Sequence, residues 1–248
     1  MAEAARRPDV IDTAPAFSAA EAEALEDRFA GVPAPDMLRV VLGEMPGRIA
    51  AVSSFGAESA VLLHMVAAVD PATPVIFTDT RRMFPETLSY RDRLVEHLGL
   101  TDIRVFAPDA ARLASRDPSN ERYAYDPDGC CEIRKVEPLT RALLPFDAWL
   151  SGRKGFQAGT RRALPRFEAE DGRLKLNPLA DWRKPDLDAY FLRRDLPRHP
   201  LEAQGYPSIG CMPCTSPVRP GEDPRAGRWR GFDKVECGIH QVSSLEQR

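Results

Sequence analysis

The 248-residue chain contains no uninterrupted run of the about 18 apolar residues that mark a membrane-spanning helix, so no such helix is expected. Its opening stretch, MAEAARRPDVIDTAPAF, carries acids and prolines where an export signal would be apolar, and a cytoplasmic protein is expected. Charge of one sign is also missing. The 34 basic and 37 acidic residues leave a net charge of −3, which excludes wholesale coating of nucleic acid but not a local anion site. There is no internal repeat or low-complexity tract, and 43% hydrophobic with 29% charged residues excludes collagen-like, coiled-coil and disordered classes. The length suits one large domain, or one domain with a small appendage.

Cysteine is scarce but clustered. There are five: Cys130, Cys131, Cys211, Cys214 and Cys237. Without an export signal, structural disulfides are disfavoured, so clustered thiols point to metal or redox chemistry. Four thiols can fill a tetrahedral site, which leaves one over. Cys211-x-x-Cys214 has the chelating spacing used both by tetrahedral zinc and by iron–sulfur clusters.

The hydrophobic pattern divides the chain into a helical lead (1–45), a nucleotide-binding α/β domain (46–202) and a loop-rich C-terminal segment (203–248). In the lead, Ser18 and Glu21 form a capping box that opens a helix ending before Gly31, and a second helix covers about 35–44. A β-α-β rhythm follows, with strands at 48–55, 74–80, 102–108 and 146–152 and helices at 57–69 and 85–99. The stretch 131–144 reads as a helix broken at Pro138. An Asp-Gly pair inside 166–179 predicts a hairpin, and 185–194 a short helix. The fold class is α/β, a doubly wound, mostly parallel sheet. Beyond 203 the composition shifts to Gly, Pro and Arg, and the last twenty residues are expected to be extended and mobile.

Val52-Ser53-Ser54-Phe55-Gly56-Ala57-Glu58-Ser59 joins a strand to a helix, where a glycine turn, hydroxyls and a helix N-terminus favour an anion. It lacks the Gly-Lys-Ser/Thr ending of a Walker loop, and a plain capped turn would explain it equally well. Thr78-Asp79-Thr80 ends the next strand and would line the same crevice, because open α/β sheets bind ligands beyond the carboxyl ends of their strands.

These residues resemble the adenylylsulfate and phosphoadenylylsulfate reductases, which have an adenine-nucleotide alpha-hydrolase-like fold. Gln157-Ala158-Gly159-Thr160-Arg161 is similar to that family's Gln-Ser-Gly-Ser-Arg stretch. Arg81 stands where a glycine commonly follows Asp-Thr, and Lys154-Gly155-Phe156 replaces an arginine-pair-plus-acid run. The resemblance implies nucleotide contacts from Ser53, Ser54, Phe55, Gly56, Glu58, Thr80, Gln157, Thr160 and Arg161. It also implies a [4Fe-4S] cluster on Cys130, Cys131, Cys211 and Cys214. Lys135 lies four residues beyond Cys131, on the same helical face, and matches the family's Cys-Cys-x-x-x-Lys pattern.

Arg219, Arg225, Arg228 and Arg230 crowd the stretch after Cys214, and guanidinium forks suit phosphate and sulfate oxygens. The family's Gly-Glu-Asp-x-Arg-x-Gly-Arg pattern selects Arg225 and Arg228, with Arg219 and Arg230 peripheral. Cys237, flanked by basic residues on a small-residue bend, has the surroundings of a nucleophile or of an incidental exposed thiol. The Glu-Cys-Gly-x-His tail, met by Glu236 to His240, is a signature of these reductases, and His240 is expected to orient the thiol or touch the substrate. His64, His97 and His199 read as structural. The implied reaction is reduction of adenosine 5′-phosphosulfate to sulfite and AMP through a Cys237 adduct. With four thiols on the cluster no resolving cysteine remains, so thioredoxin or glutaredoxin is the expected thiol donor. The alternatives are the 3′-phosphoadenylylsulfate reductase with the same mechanism and a non-catalytic iron–sulfur redox sensor. Thiolating enzymes of the pyrophosphatase type carry Ser-Gly-Gly-x-Asp-Ser loops, which this chain lacks. A homo-oligomer is compatible with all of these.

Overall fold

The computed structural model describes residues 17–157, 161 and 163–240. Strand residues sort onto two faces with period two. Ile49 and Ala51 of β1 (Ile49–Val52), Val75 and Phe77 of β2 (Val75–Thr78), and Ala148 and Leu150 of β4 (Ala148–Ser151) enter one apolar cluster. The intervening Ala50, Ile76 and Trp149 enter another. Both faces are therefore covered, as a doubly wound sheet requires.

With β3 (Ile103–Phe106), β5 (Phe167–Glu170) and β6 (Arg173–Leu176), the sheet runs β3-β2-β1-β4-β6-β5. Every pairing is parallel except that of β5 with β6. The β5–β6 hairpin turns on Asp171 and Gly172, both with positive φ (49° and 71°), as a tight Asp-Gly turn demands. The first cluster is completed by α1 (Ala19–Arg28), α2 (Ala34–Glu44), α3 (Ser59–Ala67), α4 (Pro85–Leu98) and α8 (Lys184–Arg193). The helical lead thus shares the core of the sheet. Ser18 caps α1 with the full reciprocal box, and Gly99 ends α4 in the left-handed region.

The opposite face is covered by α7 (Glu137–Leu143), through Leu139, Ala142 and Leu143. Two helical pieces precede it: a short α5 (Ala110–Arg116), hidden in a polar stretch of sequence, and α6 (Pro127–Cys131). Between α6 and α7 the chain widens into a π turn over Glu132–Val136. The expected break at Pro138 is therefore corrected. Pro138 lies in the first turn of α7, and the wide turn ahead of it absorbs the missing N–H without interrupting the rod.

From 203 to 240 nothing regular exceeds a 3₁₀ turn. This segment is tied to the sheet domain by an antiparallel bridge between Met83 and Cys211, and folds on itself through a bridge between Thr215 and Arg228. Two histidines are bonded beside the first cluster, against Tyr190 and Tyr90. His64 Nδ1 lies 2.9 Å from the Tyr190 hydroxyl, and His199 Nε2 lies 3.0 Å from Thr87 Oγ1.

Candidate active site

β1 lies between β2 on one side and β4 on the other, so the chain leaves the sheet in opposite directions at their carboxyl ends. A cavity of about 220 Å³ opens there. Ser53, Ser54, Gly56 and Glu58 come to it from the β1–α3 loop, and Thr80 from the end of β2. Gln157 and Arg161 reach it from the segment after β4, Lys135 from the π turn, and Arg225, Arg228, Cys237 and His240 from the C-terminal segment. Residues almost two hundred positions apart in sequence thus face one space.

Phe55 is not in the lining: its backbone takes a left-handed turn (φ 50°) and its ring is fully buried against Phe77, 5.5 Å between centroids. This is a correction with a clear cause, because the ring anchors the loop from below while its neighbours face the crevice. Thr160 falls outside the described residues.

Glu58 does not present a free carboxylate. It accepts from Lys154 Nζ at 3.0 Å and Gln157 Nε2 at 2.9 Å, and Lys184 Nζ stands 3.5 Å away. Burial pushes the Lys154 ammonium below its ordinary range, against the pull of Glu58. Arg161 holds Glu236 through two parallel bonds of 2.7 Å, and Arg225 Nη2 donates to the Val235 carbonyl at 2.6 Å. The two residues that precede Cys237 are thereby fixed by two of the cations that line the cavity.

Arg228 lies across the Gly210 backbone. A Cβ at residue 210 would stand 2.3 Å from Arg228 Nη2, so glycine is needed for this close approach. Its guanidinium stacks over Trp229 at 4.4 Å, and its buried Nε has no hydrogen-bond partner among the described residues. Arg219 and Arg230, by contrast, stay outside the cavity, with Arg230 Nη2 on Glu222 at 3.2 Å.

Next to this cavity is a second of about 10 Å³, lined by Cys130, Cys131, Cys211 and Cys214 together with Arg82, Tyr123, Arg134, Lys135, Pro213 and Trp229. Lys135 and Trp229 line both. Burial pushes the Cys130 thiol up to about 11 and Cys131 up to about 12, whereas the sulfurs of Cys211, Cys237 and Cys131 hold the Lys135 ammonium above its ordinary value despite its burial. Thr80 Oγ1 lies 3.2 Å from Cys211 Sγ. Among the described residues, no three His, Cys, Asp or Glu side chains are arranged to hold a single metal ion.

Sequence reasoning missed Trp229, the wall between the two cavities, and Arg153, which lines the larger one while paired with Glu168. No periodicity marks either residue. Arg81, where the family commonly has glycine, adopts the left-handed backbone (φ 59°) that glycine would take freely.

An open parallel sheet with a cation-lined crevice at its switch point defines a nucleotide-binding α/β protein. The chain matches the phosphoadenosine phosphosulfate reductase domain over residues 48–217, and it belongs to that family. It is 57% identical to an adenosine 5′-phosphosulfate reductase of Mesorhizobium japonicum, over 80% of this chain and 78% of that one. A protein of the same name from Chelativorans is 52% identical over 89% and 92% of the two chains. Among solved structures, a phosphoadenylyl-sulfate reductase from Candida auris superposes with a TM-score of 0.70 at 26% identity, covering 82% of this chain and 98% of that one.

Proposed function

We propose that this protein reduces adenosine 5′-phosphosulfate to sulfite and AMP, with Cys237 as the nucleophile. The observation that carries this reading is the convergence of Cys237 with Lys135, Arg161, Arg225 and Arg228 on one cavity at the switch point. The Cys237 thiolate attacks the sulfate sulfur, a sulfur–sulfur bond forms, and the sulfur–oxygen bond to the phosphate breaks with its electron pair leaving on AMP. Lys135, Arg225 and Arg228 offset charge that builds on the phosphate and sulfate oxygens, which is where electrostatic catalysis contributes most. Packing against Cys131 and Trp229 leaves Cys237 only 9% exposed, which limits the water around the attacking sulfur. One thiol of an external dithiol, thioredoxin or glutaredoxin, then attacks the Cys237 sulfur, forming a mixed disulfide and releasing sulfite; the donor's second thiol breaks that disulfide, leaving the donor oxidised and Cys237 free.

The four-thiol cavity suits a [4Fe-4S] cluster. Its donors are all sulfur, and the buried Nε atoms of Arg82 and Arg134 on the same cavity have no partner among the described residues, so they are available to an anionic group. Cys130, Cys131, Cys211 and Cys214 would hold it. When bound, the cluster supplies a compact negative charge beside Lys135, and no electron from it is needed for the steps above.

Two measurements test the reading. Incubation with adenosine 5′-phosphosulfate and no thiol donor is expected to release about one AMP per chain and to leave a sulfonate on Cys237. Cys237→Ser is expected to lower sulfite formation at least about 10⁴-fold while iron and sulfide contents stay unchanged. Retained turnover in that variant would instead favour a redox sensor.

A further inference from the structure

Lys175 sits at the centre of β6 and is 1% exposed, yet it does not line the cavity. A buried ammonium needs acceptors for its three N–H groups. The β5 strand supplies carboxylates: Glu170 Oε2 at 3.0 Å and Glu168 Oε2 at 3.8 Å. A further acceptor, at 2.8 Å, is the backbone carbonyl of His240, three residues beyond Cys237.

Trp149 is the cross-strand neighbour of Lys175 on β4, and the ammonium lies 5.1 Å from its ring centroid. The imidazole of His240 is parallel to that indole, with 6.1 Å between centroids and 1° between planes. Ile239 packs into the same apolar cluster as Trp149. Burial holds His240 well below its ordinary pKa, so it stacks as a neutral ring. Residues 239 and 240 are thus both held against the sheet, with Ile239 also packed against Cys131 and Trp229.

We infer that Lys175 and Trp149 form a seat for residues 239–240, and that this seat sets how often Cys237 occupies the cavity. The inference rests on Cys237 being the nucleophile. Glu236 is held by Arg161 on one side of Cys237, and the seat holds His240 on the other; Gly238, with φ 83°, makes the bend between them. Arg161 lines the cavity and is available to the nucleotide as well, whereas Lys175 is not. Lys175 is therefore a positioning residue, coupled to chemistry only through the tail. For the thiol donor to reach the Cys237 adduct, this seat has to empty, so its strength would set the balance between attack and release.

The test compares the unaltered full chain with Lys175→Met and His240→Ala. In each variant the single-turnover release of AMP at saturating adenosine 5′-phosphosulfate is expected to slow about tenfold to a hundredfold, the effect of losing one charge-assisted bond or its supporting ring contact. Tryptic cleavage after Lys234 in nucleotide-free protein should accelerate by a similar factor, which a residue acting only on substrate would not cause. Nucleotide affinity of Lys175→Met should stay within twofold. Unaltered burst and cleavage rates in a folded variant overturn the inference, as does a slowed burst without faster cleavage. Should Lys175→Met not fold, His240→Ala leaves the strand untouched and decides alone. Absence of any burst in the unaltered chain would defeat the proposed function instead, while the cleavage rates would still report on the seat.

Discussion

The two cavities share Lys135 and Trp229 and differ in almost everything else. One has about 220 Å³ of space, lined by hydroxyls, guanidinium groups and the mouth of a strand–helix loop. The other has about 10 Å³ between four sulfurs. The larger is built from the sheet ends, the π turn and the C-terminal loops together, and suits a ligand that comes and goes. The smaller is built where the π turn meets the Cys211–Cys214 turn, and suits a resident group. The common wall explains why the loop segment folds at all without regular structure: Trp229 N–H donates to the Cys214 carbonyl at 3.0 Å, and its indole lies beneath both Arg228 and Lys234.

Substitutions can break that division or sharpen it. Replacing Lys135 by Gln removes the one cation common to both walls, and kcat/KM is expected to fall about 10²- to 10³-fold. Iron and sulfide analysis alongside the kinetics would show whether the thiol side depends on it. Gly210→Ala acts on the larger cavity alone. The new methyl displaces the end of the Arg228 side chain, so a loss of about tenfold in kcat/KM is expected with the melting temperature nearly unchanged, because the clashing atoms are flexible. Arg81→Gly touches neither wall directly. It should relieve the left-handed backbone strain, partly offset by the extra freedom of glycine when unfolded, and raise stability by about 0.5 kcal/mol in denaturant titration. Smallest of all, Arg219→Ala should leave kcat/KM within twofold, since its backbone only closes a surface turn with Glu222 at 2.9 Å.

How much of this was legible depended on whether the information was local. The strands of the sheet, the Ser18 box and the Asp171-Gly172 turn follow from patterns a few residues long, and each lies where the pattern placed it, with strands shortened at their ends. Part of the cavity lining was legible too, because the loop, the arginine pattern and the Cys237 tail each carry a compact motif. Lys175 was not. In Arg-Leu-Lys-Leu an alternating lysine reads as solvent-facing, and only Glu168 and Glu170 on the adjoining strand, with a carbonyl 65 positions later, make its burial tolerable. Phe55 misled for a related reason: a residue inside a ligand-binding motif is assumed to face the ligand, whereas its positive φ turns it into the core. Trp229 lies in a stretch with no period, where pairing is set by contacts distant in sequence.

The linear order of these parts has its own consequence. Strands β1 to β3, the Cys130–Cys131 pair, strands β4 to β6, the Cys211–Cys214 turn and only afterwards Cys237 leave the ribosome in that sequence. The sheet ends of the crevice and all four clustered sulfurs are therefore synthesised before the one thiol proposed to react is joined to them.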